Sequence, residues 1–133
     1  MKVAVLGSGG REHVLVWKLS QSPRIKELFC IPGNPGIAQL AKCVPLPLHD
    51  HLSLIHWAKK EEISLTVVGP EDPLSNGIVD SFQTAGLKIY GPNQKAAQLE
   101  SSKTFAKQIM QLHGVPTAKS ASFTELGPAL RYA

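Results

Sequence analysis

The sequence lacks any apolar run long enough to cross a bilayer, and it has few aromatic residues. A membrane-spanning helix needs about 20 consecutive apolar residues, and no segment of the chain approaches that length. Aromatic residues make up 6% of the 133 residues, and basic residues never exceed two in a row, at Lys59-Lys60. Nucleic-acid-binding surfaces combine clustered cations with aromatic side chains. We therefore expect neither a membrane nor a nucleic acid as a partner.

Cysteine is also scarce, and the amino terminus lacks an export signal. Cys30 and Cys43 match no zinc or redox spacing, so both are expected to be small buried apolar residues. The first apolar run is too short for a signal peptide, which favours a reducing, cytoplasmic location. His49-Asp50-His51 has no third ligand nearby in the sequence, so we expect a polar loop and no metal site.

The composition is otherwise that of a globular protein, with 43% hydrophobic and 18% charged residues. The formal net charge of +4 is distributed unevenly. Residues 1–87 contain eight basic and eight acidic residues, whereas residues 88–133 contain six basic and two acidic residues. This asymmetry predicts a neutral first domain followed by a basic piece of another.

Short apolar runs alternate with amphipathic segments, which predicts an α/β fold with a doubly wound, Rossmann-like parallel sheet. The predicted strands are residues 2–6, 27–31, 65–68 and 87–90, with a fifth near Val44. The main predicted helices are residues 11–20, 52–60 and 73–85.

Two of these helices carry specific expectations. Helix 11–20 is apolar almost all round, which predicts deep burial, and Trp17 and Trp57 are expected in the core. The helix after the third main strand is expected to have Asp72 as its N-cap and Pro73 at its first position.

The alternation of apolar runs with amphipathic segments changes near residue 100, where we expect a domain boundary. A helix capped by Ser101 or Ser102 is predicted, then a strand over 118–123 and a helix from Thr124 that reaches Ala133 without a C-cap. The final segment therefore resembles the opening of a second, incomplete domain.

A loop containing glycine or proline follows each main strand. Ligands of open α/β sheets bind beyond the carboxyl ends of the strands, and loops without side chains let backbone N–H groups approach phosphate. Arg11 adds a forked cation suited to phosphate or carboxylate. One such loop is explained as a tight turn, but several on one edge predict a ligand site. The loops are Gly7–Glu12, Pro32–Asn34, Gly69–Glu71 and Gly91–Asn93.

The glycine spacing argues against a dinucleotide. The pattern Gly-x-Gly-x-x-Gly requires glycine where Glu12 stands, and the acidic residue expected after the second strand is missing. The carboxylates of Glu12 and Glu71 would repel a pyrophosphate but accept hydrogen bonds from hydroxyl or amino groups. These features together predict a sugar phosphate that carries such groups.

Four motifs occur in order along the chain: Gly7–His13 (GSGGREH), Pro32–Asn34 (PGN), Gly69–Leu74 (GPEDPL) and Ala97–Lys103 (AQLESSK). Together they resemble glycinamide ribonucleotide synthetase, also called phosphoribosylamine–glycine ligase. The resemblance covers the N-terminal part of the family's chain. It implies that residues 1–100 are the pre-ATP-grasp, substrate-binding domain and that residues 101–133 begin an ATP-grasp domain.

The resemblance implies an enzyme as the full-length parent. Members of the family join glycine to 5-phosphoribosylamine through a glycyl phosphate, giving glycinamide ribonucleotide, ADP and phosphate in the second step of de novo purine synthesis. ATP and magnesium or manganese would be bound mainly by the missing ATP-grasp region. This chain alone is therefore expected to be inactive and to hold no catalytic residue, and fusion of the parent to further purine-pathway enzymes stays open.

The resemblance also implies residue roles. Gly9, Gly10 and Arg11 would face the 5-phosphate and ribose, and the two carboxylates would accept from ribose hydroxyls or the amine. Lys103 would contact the nucleotide, although a solvated lysine in the first turn of a helix explains it equally. From its position in the first helix near the glycine loop, His13 could orient Glu12 or only pack, and packing is expected. The implied substrate-binding residues are Gly9, Gly10, Arg11, Glu12, Gly33, Asn34, Gly69, Pro70 and Glu71.

Two alternatives remain open. One is the front domain of another ATP-grasp ligase or carboxylase, and the other is a stand-alone module that binds a sugar phosphate or a nucleotide.

Overall fold

The computed structural model describes residues 1–132, and the chain forms two compact units, Met1–Ala97 and Gln98–Ala133. Ala133, where the last predicted helix was expected to end, lies outside the described residues. The division falls within a helix, three residues before the boundary predicted near residue 100. That the second unit begins an ATP-grasp domain stays a prediction.

The first unit is built on five parallel strands. These are β1 (Lys2–Gly7), β2 (Glu27–Pro32), β3 (Lys42–Cys43), β4 (Leu65–Val68) and β5 (Ile89–Tyr90). They pair in the order β3-β2-β1-β4-β5, so the chain starts in the middle and winds outward in both directions. The predicted doubly wound α/β architecture is confirmed.

Helices connect the strands. They are α1 (Gly10–Ser20), α2 (His51–Lys60), α3 (Glu71–Ser75) and α4 (Ile78–Thr84), with a short 3-10 helix at Ile37–Gln39, and the helix α5 (Gln94–Ser101) follows β5. The peptide bond between Ile31 and Pro32 is cis.

The core lies on both faces of the sheet, because successive strand residues point in opposite directions. Val3 and Val5 of β1 pack with Val16 of α1 on one face. Ala4 and Leu6 belong to the cluster on the other face, which contains residues of α2, α3 and α4. Each fully buried large side chain stabilises the fold by roughly 1.5–3 kcal/mol.

Helix α1 is less buried than its apolar sequence predicts. Val16 is fully buried, but Val14 is 62% and Trp17 is 51% exposed. The expectation of burial all round, with Trp17 in the core, was wrong, because only one face of a helix can meet a sheet. Trp57 is partly buried, with its ring 5.3 Å from that of Phe29 in an edge-on contact.

The helix after β4 begins earlier than expected. Helix α3 starts at Glu71 with Pro70 as its N-cap residue, so Asp72 is not the N-cap and Pro73 is not the first helical residue. Pro73 is tolerated in the first turn of α3 because the first N–H groups of a helix have no partner within it.

The predicted continuous helix over residues 73–85 is interrupted. Gly77 adopts a φ of +82°, which separates α3 from α4. Leu74, Ile78 and Phe82 are still buried together, as their helical spacing predicted.

The additional strand that was predicted near Val44 is β3, which lies just before that position at Lys42–Cys43. Cys30 is buried as expected, but Cys43 is exposed, so the expectation that both cysteines are buried was wrong. The physical reason is that β3 is a two-residue strand at the edge of the sheet.

The second unit contains α6 (Lys103–Leu112) and α7 (Leu126–Tyr132). Ser102 caps α6, its side chain accepting from the Phe105 N–H at 3.3 Å, which decides between the two predicted caps. The strand predicted over 118–123 is absent from the described residues of this unit, which offer no partner strand. No helix within residues 1–132 is long and apolar enough to span a membrane.

Candidate functional site

The loops that follow β1 and β4 meet where the strand order reverses. Strands β2 and β4 flank β1, so the chain leaves β1 in one direction and later returns on its other side. The Gly69 N–H donates to the Leu6 carbonyl at 3.0 Å, and the Gly33 N–H donates to the Gly7 carbonyl at 3.1 Å. Three of the four predicted loops therefore share one edge. Ligands of such sheets bind at this switch point.

Helix α1 presents its N-terminus at this edge. Gly9 is the N-cap residue, and a side chain at Gly10 would meet open space. The first N–H groups of a helix lack partners within it, and the helix dipole adds partial positive charge there. The loop can therefore receive an anion close to the backbone.

Glu12 is buried inside this loop, at 4% exposure. Its Oε2 accepts from the Gly9 N–H at 2.6 Å, which is one half of a capping box. Within residues 1–132, its Oε1 is buried without a hydrogen-bond partner. The carboxylate thus faces inward, and its predicted contact with a substrate hydroxyl or amine stays a prediction.

Arg11 lies between two carboxylates. Its Nη2 donates to Glu71 Oε2 at 3.0 Å, and its Nε lies 3.7 Å from Glu12 Oε1. The Glu71 backbone N–H and then the Arg11 guanidinium hold the pKa of the Glu71 carboxyl below its usual value of 4.5. Arg11 and Glu71 are both solvent-exposed, so a ligand can reach either side chain and replace its partner in the ion pair.

Asn34 fixes the loop after β2 to the loop after β1. Its Nδ2 donates to the Ser8 carbonyl at 2.7 Å, and its Oδ1 accepts from the Ile37 N–H at 2.9 Å. Gly33 has a φ of +73°, and a Cβ there would collide with the Cys43 thiol. Both predicted rim residues are therefore brought to the site, where Asn34 organises the loops.

The remaining predicted site residues occupy distinct places. Gly69 is buried against Glu12, and Pro70 lines a cavity of about 310 Å³ beside the loops. His13 lies against Gly36, consistent with a packing role. Lys103 is exposed at the first position of α6 in the second unit, and its role stays a prediction.

The fourth glycine loop is a packing feature. A Cβ at Gly91 would lie 2.8 Å from Leu74 Cδ2 and 3.3 Å from Val79 Cγ2. Glycine is required there for close packing against α3 and α4.

His49-Asp50-His51 has a structural role. Asp50 caps α2, accepting from the Ser53 N–H at 3.0 Å. Hydrogen bonding to the Ser53 side chain, and then to its N–H, lowers the pKa of Asp50 below 3.8. His51 Nδ1 lies 3.0 Å from Ser81 Oγ. No group of three His, Cys, Asp or Glu side chains within residues 1–132 could hold a metal ion.

Two features of the site were not predicted from the sequence. The Ser8 carbonyl is the acceptor that joins two loops, and no local pattern indicates it. The space that Gly7 and Gly69 leave for Glu12 was also missed. Its one available signal is a glutamate that occupies the position of the third glycine in a Rossmann-type loop.

An open parallel sheet, with a helix N-terminus and opposed charges at its switch point, defines a doubly wound α/β domain, the class of fold whose ligands bind at that point. Comparison with known families agrees and is more specific. The family model "Phosphoribosylglycinamide synthetase, N domain" matches residues 1–100, and the chain belongs to this family.

Individual relatives agree with this assignment. A phosphoribosylamine–glycine ligase of Xanthomonas campestris is 53% identical over 134 residues, which cover 99% of this chain and 31% of that protein. The crystal structure of a phosphoribosylamine–glycine ligase from Thermotoga maritima matches with a TM-score of 0.64 and 28% identity, over 90% of this chain and 26% of that one. The chain therefore spans about a third of the length of the curated relatives it matches.

The fold extends to more distant enzymes. The biotin carboxylase domain of a 2-oxoglutarate carboxylase from Hydrogenobacter thermophilus matches with a TM-score of 0.75 and 19% identity, over 98% of this chain and 32% of that one. At this identity the likeness shows a shared fold.

Proposed function

We propose that residues 1–97 hold the sugar phosphate substrate of an ATP-dependent ligase that joins glycine to 5-phosphoribosylamine. The proposed products are glycinamide ribonucleotide, ADP and phosphate, in the second step of de novo purine synthesis. The observation that carries the proposal is the position of Arg11, at the N-terminus of α1 between the carboxylates of Glu12 and Glu71. Membership of the family supports the same conclusion.

The chemistry explains why such a holding domain is needed. A carboxylate resists nucleophilic attack, so glycine reacts as glycyl phosphate, from which the amine nitrogen of the ribosylamine displaces phosphate. Proximity of two reactants lowers a barrier by up to roughly 7–11 kcal/mol. The proposed role of this chain is to hold the amine close to the acyl phosphate, with the chemical step performed elsewhere in the parent.

The proposed contacts follow from the geometry of the loops. The Gly10 N–H and the guanidinium of Arg11 would bind the 5-phosphate, while Gly9, whose own N–H donates to Glu12 Oε2, would leave room for it. Glu71 would accept from a ribose hydroxyl or the amine. Gly33, Asn34, Gly69 and Pro70 would form the rim.

Glu12 enters this proposal differently. Its carboxylate would have to leave its buried position and its 2.6 Å hydrogen bond with Gly9 to reach a substrate directly.

ATP and the metal are assigned to the part of the parent that this chain does not contain. The described residues do not fit a metal ion, because they hold no cluster of three ligands. Lys103 is proposed as a contact to the nucleotide, supported by its exposed position at the start of α6. The pathway favours a cytoplasmic parent, and fusion to further purine-pathway enzymes stays a prediction.

Calorimetric titration of the chain with ribose 5-phosphate tests the proposal, with ribose as the uncharged comparison. We expect ribose 5-phosphate to bind and ribose to bind much more weakly. Arg11→Ala should weaken binding at least tenfold, because a charge-assisted hydrogen bond contributes about 1.5–3 kcal/mol. Arg24→Ala, at an exposed arginine outside the loops, is the matched control. Equal binding by Arg11→Ala and the control would contradict the proposal.

A second candidate is the front domain of another ATP-grasp ligase or carboxylase. Its basis is the shared fold alone, whereas the relatives that are about half identical to this chain are phosphoribosylamine–glycine ligases. Turnover by the full-length parent, with glycine and bicarbonate compared as substrates, separates the two. Product formed with bicarbonate alone would favour the carboxylase.

A further inference from the structure

We propose that Glu12 is a positioning residue, which locks the loop after β1 onto the loop after β4 and holds Arg11 ready for a phosphate. The structural lock stands by itself, whereas its effect on a ligand rests on the proposed function. The inference starts from a carboxylate that is buried beneath the predicted binding surface.

The first step is steric. A Cβ at Gly7 would lie 2.5 Å from Glu12 Cγ, and one at Gly69 would collide with Glu12 Oε1. Gly9 is also close, since its Cβ would lie 3.0 Å from Glu12 Oε2. Glycines at the ends of two neighbouring strands therefore form a cradle for one side chain. Only Gly7 also requires glycine for its φ of +126°.

The second step is electrostatic. Glu12 Oε2 is satisfied by the Gly9 N–H, while Oε1 is buried and has no hydrogen-bond partner within residues 1–132. A buried charge without compensation is strongly unfavourable. The compensating charge is Arg11, whose Nε lies 3.7 Å from Oε1. The position of the Arg11 guanidinium is thus coupled to Glu12.

The third step concerns the different roles of the two carboxylates that contact Arg11. Glu12 faces the Nε side of the guanidinium from below, and Glu71 pairs with Nη2 at 3.0 Å from the solvent side. The exposed Glu71 can be replaced by a phosphate, while the buried Glu12 stays in place. The geometry points to an arginine that is oriented before the ligand arrives.

The structural lock is tested by a double-mutant cycle in the chain. Gly69→Ala should lower the unfolding midpoint by several degrees, because the new methyl group displaces the carboxylate. Combined with Glu12→Ala, the same substitution should cost much less, so the two effects should not add. Gly10→Ala, where nothing lies within 4 Å, is the control for stability. Additive effects would overturn the lock.

The effect on Arg11 is tested with Glu12→Gln, which retains the shape and an acceptor for the Gly9 N–H but removes the charge. We expect an unfolding midpoint close to that of the unmodified chain and about tenfold weaker binding of both inorganic phosphate and ribose 5-phosphate. Amide chemical shifts of Gly9 and Gly10 report the binding of each.

The outcomes separate the possible roles. Unchanged affinity for both ligands would overturn the positioning of Arg11, and loss for ribose 5-phosphate alone would overturn it in favour of direct contact with the sugar. If the unmodified chain binds neither ligand, the proposed function fails and with it the role toward a ligand. A non-additive cycle would then still support the lock.

Discussion

At the scale of single residues, the loops after β1, β2 and β4 are held by side chains that the ligand does not need to touch. Asn34 joins two loops through the Ser8 carbonyl, and Glu12 joins two through the glycines around it. Such supporting contacts keep a site within the small tolerance that binding requires. Exposed Arg11 and Glu71 then remain as the groups that face a ligand.

Glu71→Gln in a full-length parent should raise the apparent KM for 5-phosphoribosylamine about tenfold and leave the KM for ATP unchanged. The reason is that the amide loses the charge that favours a hydroxyl or amine donor. Steady-state kinetics with each substrate varied in turn provide the measurement. An unchanged KM for 5-phosphoribosylamine would remove Glu71 from the site.

The same carboxyl has a pH signature in the chain itself. Its pKa is lowered in the folded state by its own backbone N–H and then by Arg11, so the ionised carboxylate stabilises the fold above about pH 4.5. This stabilisation is lost as the pH falls through the folded pKa. The stability difference between the unmodified chain and Glu71→Gln should therefore shrink on acidification. Denaturant unfolding at pH 7 and pH 3 checks this, and a difference that grows would contradict it.

The two cysteines should differ in reactivity. Burial, followed by the neighbouring Cys43, raises the pKa of the Cys30 thiol to about 11, and Cys30 Sγ donates to the Gly7 carbonyl at 3.3 Å. Cys43 is exposed. Iodoacetamide at pH 8 should modify Cys43 quickly and Cys30 only after unfolding, because the thiolate is the nucleophile. Peptide mass spectrometry with and without denaturant distinguishes the sites, and equal rates under native conditions would refute the assignment.

At the scale of elements, strands and loops followed from the sequence more closely than helix faces did. The apolar runs and the glycine loops after them are local signals, and they predicted β1, β2 and β4 within a residue. The exposure of Trp17 depends instead on which face of α1 meets the sheet, which the nearly uniform apolar sequence of that helix does not indicate. The break at Gly77 does have a local signal, a glycine that can adopt positive φ after Asn76. The burial of Glu12 depends on Gly7 and Gly9 nearby and also on Gly69, which is distant in the sequence.

A pair of substitutions tests which helix faces form the core. Phe82→Ala in α4 should cost about 3–5 kcal/mol, because Phe82 is fully buried. Trp17→Ala in α1 should cost much less despite the larger side chain, because Trp17 is 51% exposed. Denaturant unfolding of both variants gives the comparison. A larger loss for Trp17→Ala would mean that this face of α1 is covered.

At the scale of the whole molecule, the two units differ in how they are stabilised. Every member of both buried clusters lies within Met1–Ala97. No residue from Gln98 to Tyr132 is buried, and α6 and α7 carry exposed apolar residues that include Leu112 and Leu126. The charge asymmetry does not follow this division. Residues 1–97 contain ten basic and eight acidic residues and residues 98–133 contain four basic and two acidic residues, so each unit carries a formal net charge of +2.

A chain that ends after Ser101 should therefore fold by itself and retain an unfolding midpoint within a few degrees of that of the full chain. It keeps α5 and both apolar clusters, so it loses almost no buried apolar area on truncation. In the full chain, amide hydrogen exchange should be slow in β1, β2 and β4 and fast throughout α6 and α7, since local stability follows burial. Calorimetry of the shortened chain and exchange in the full chain measure the two halves of this prediction. Loss of a cooperative transition on truncation, or strong protection in α6, would show that the second unit contributes to the fold of the first.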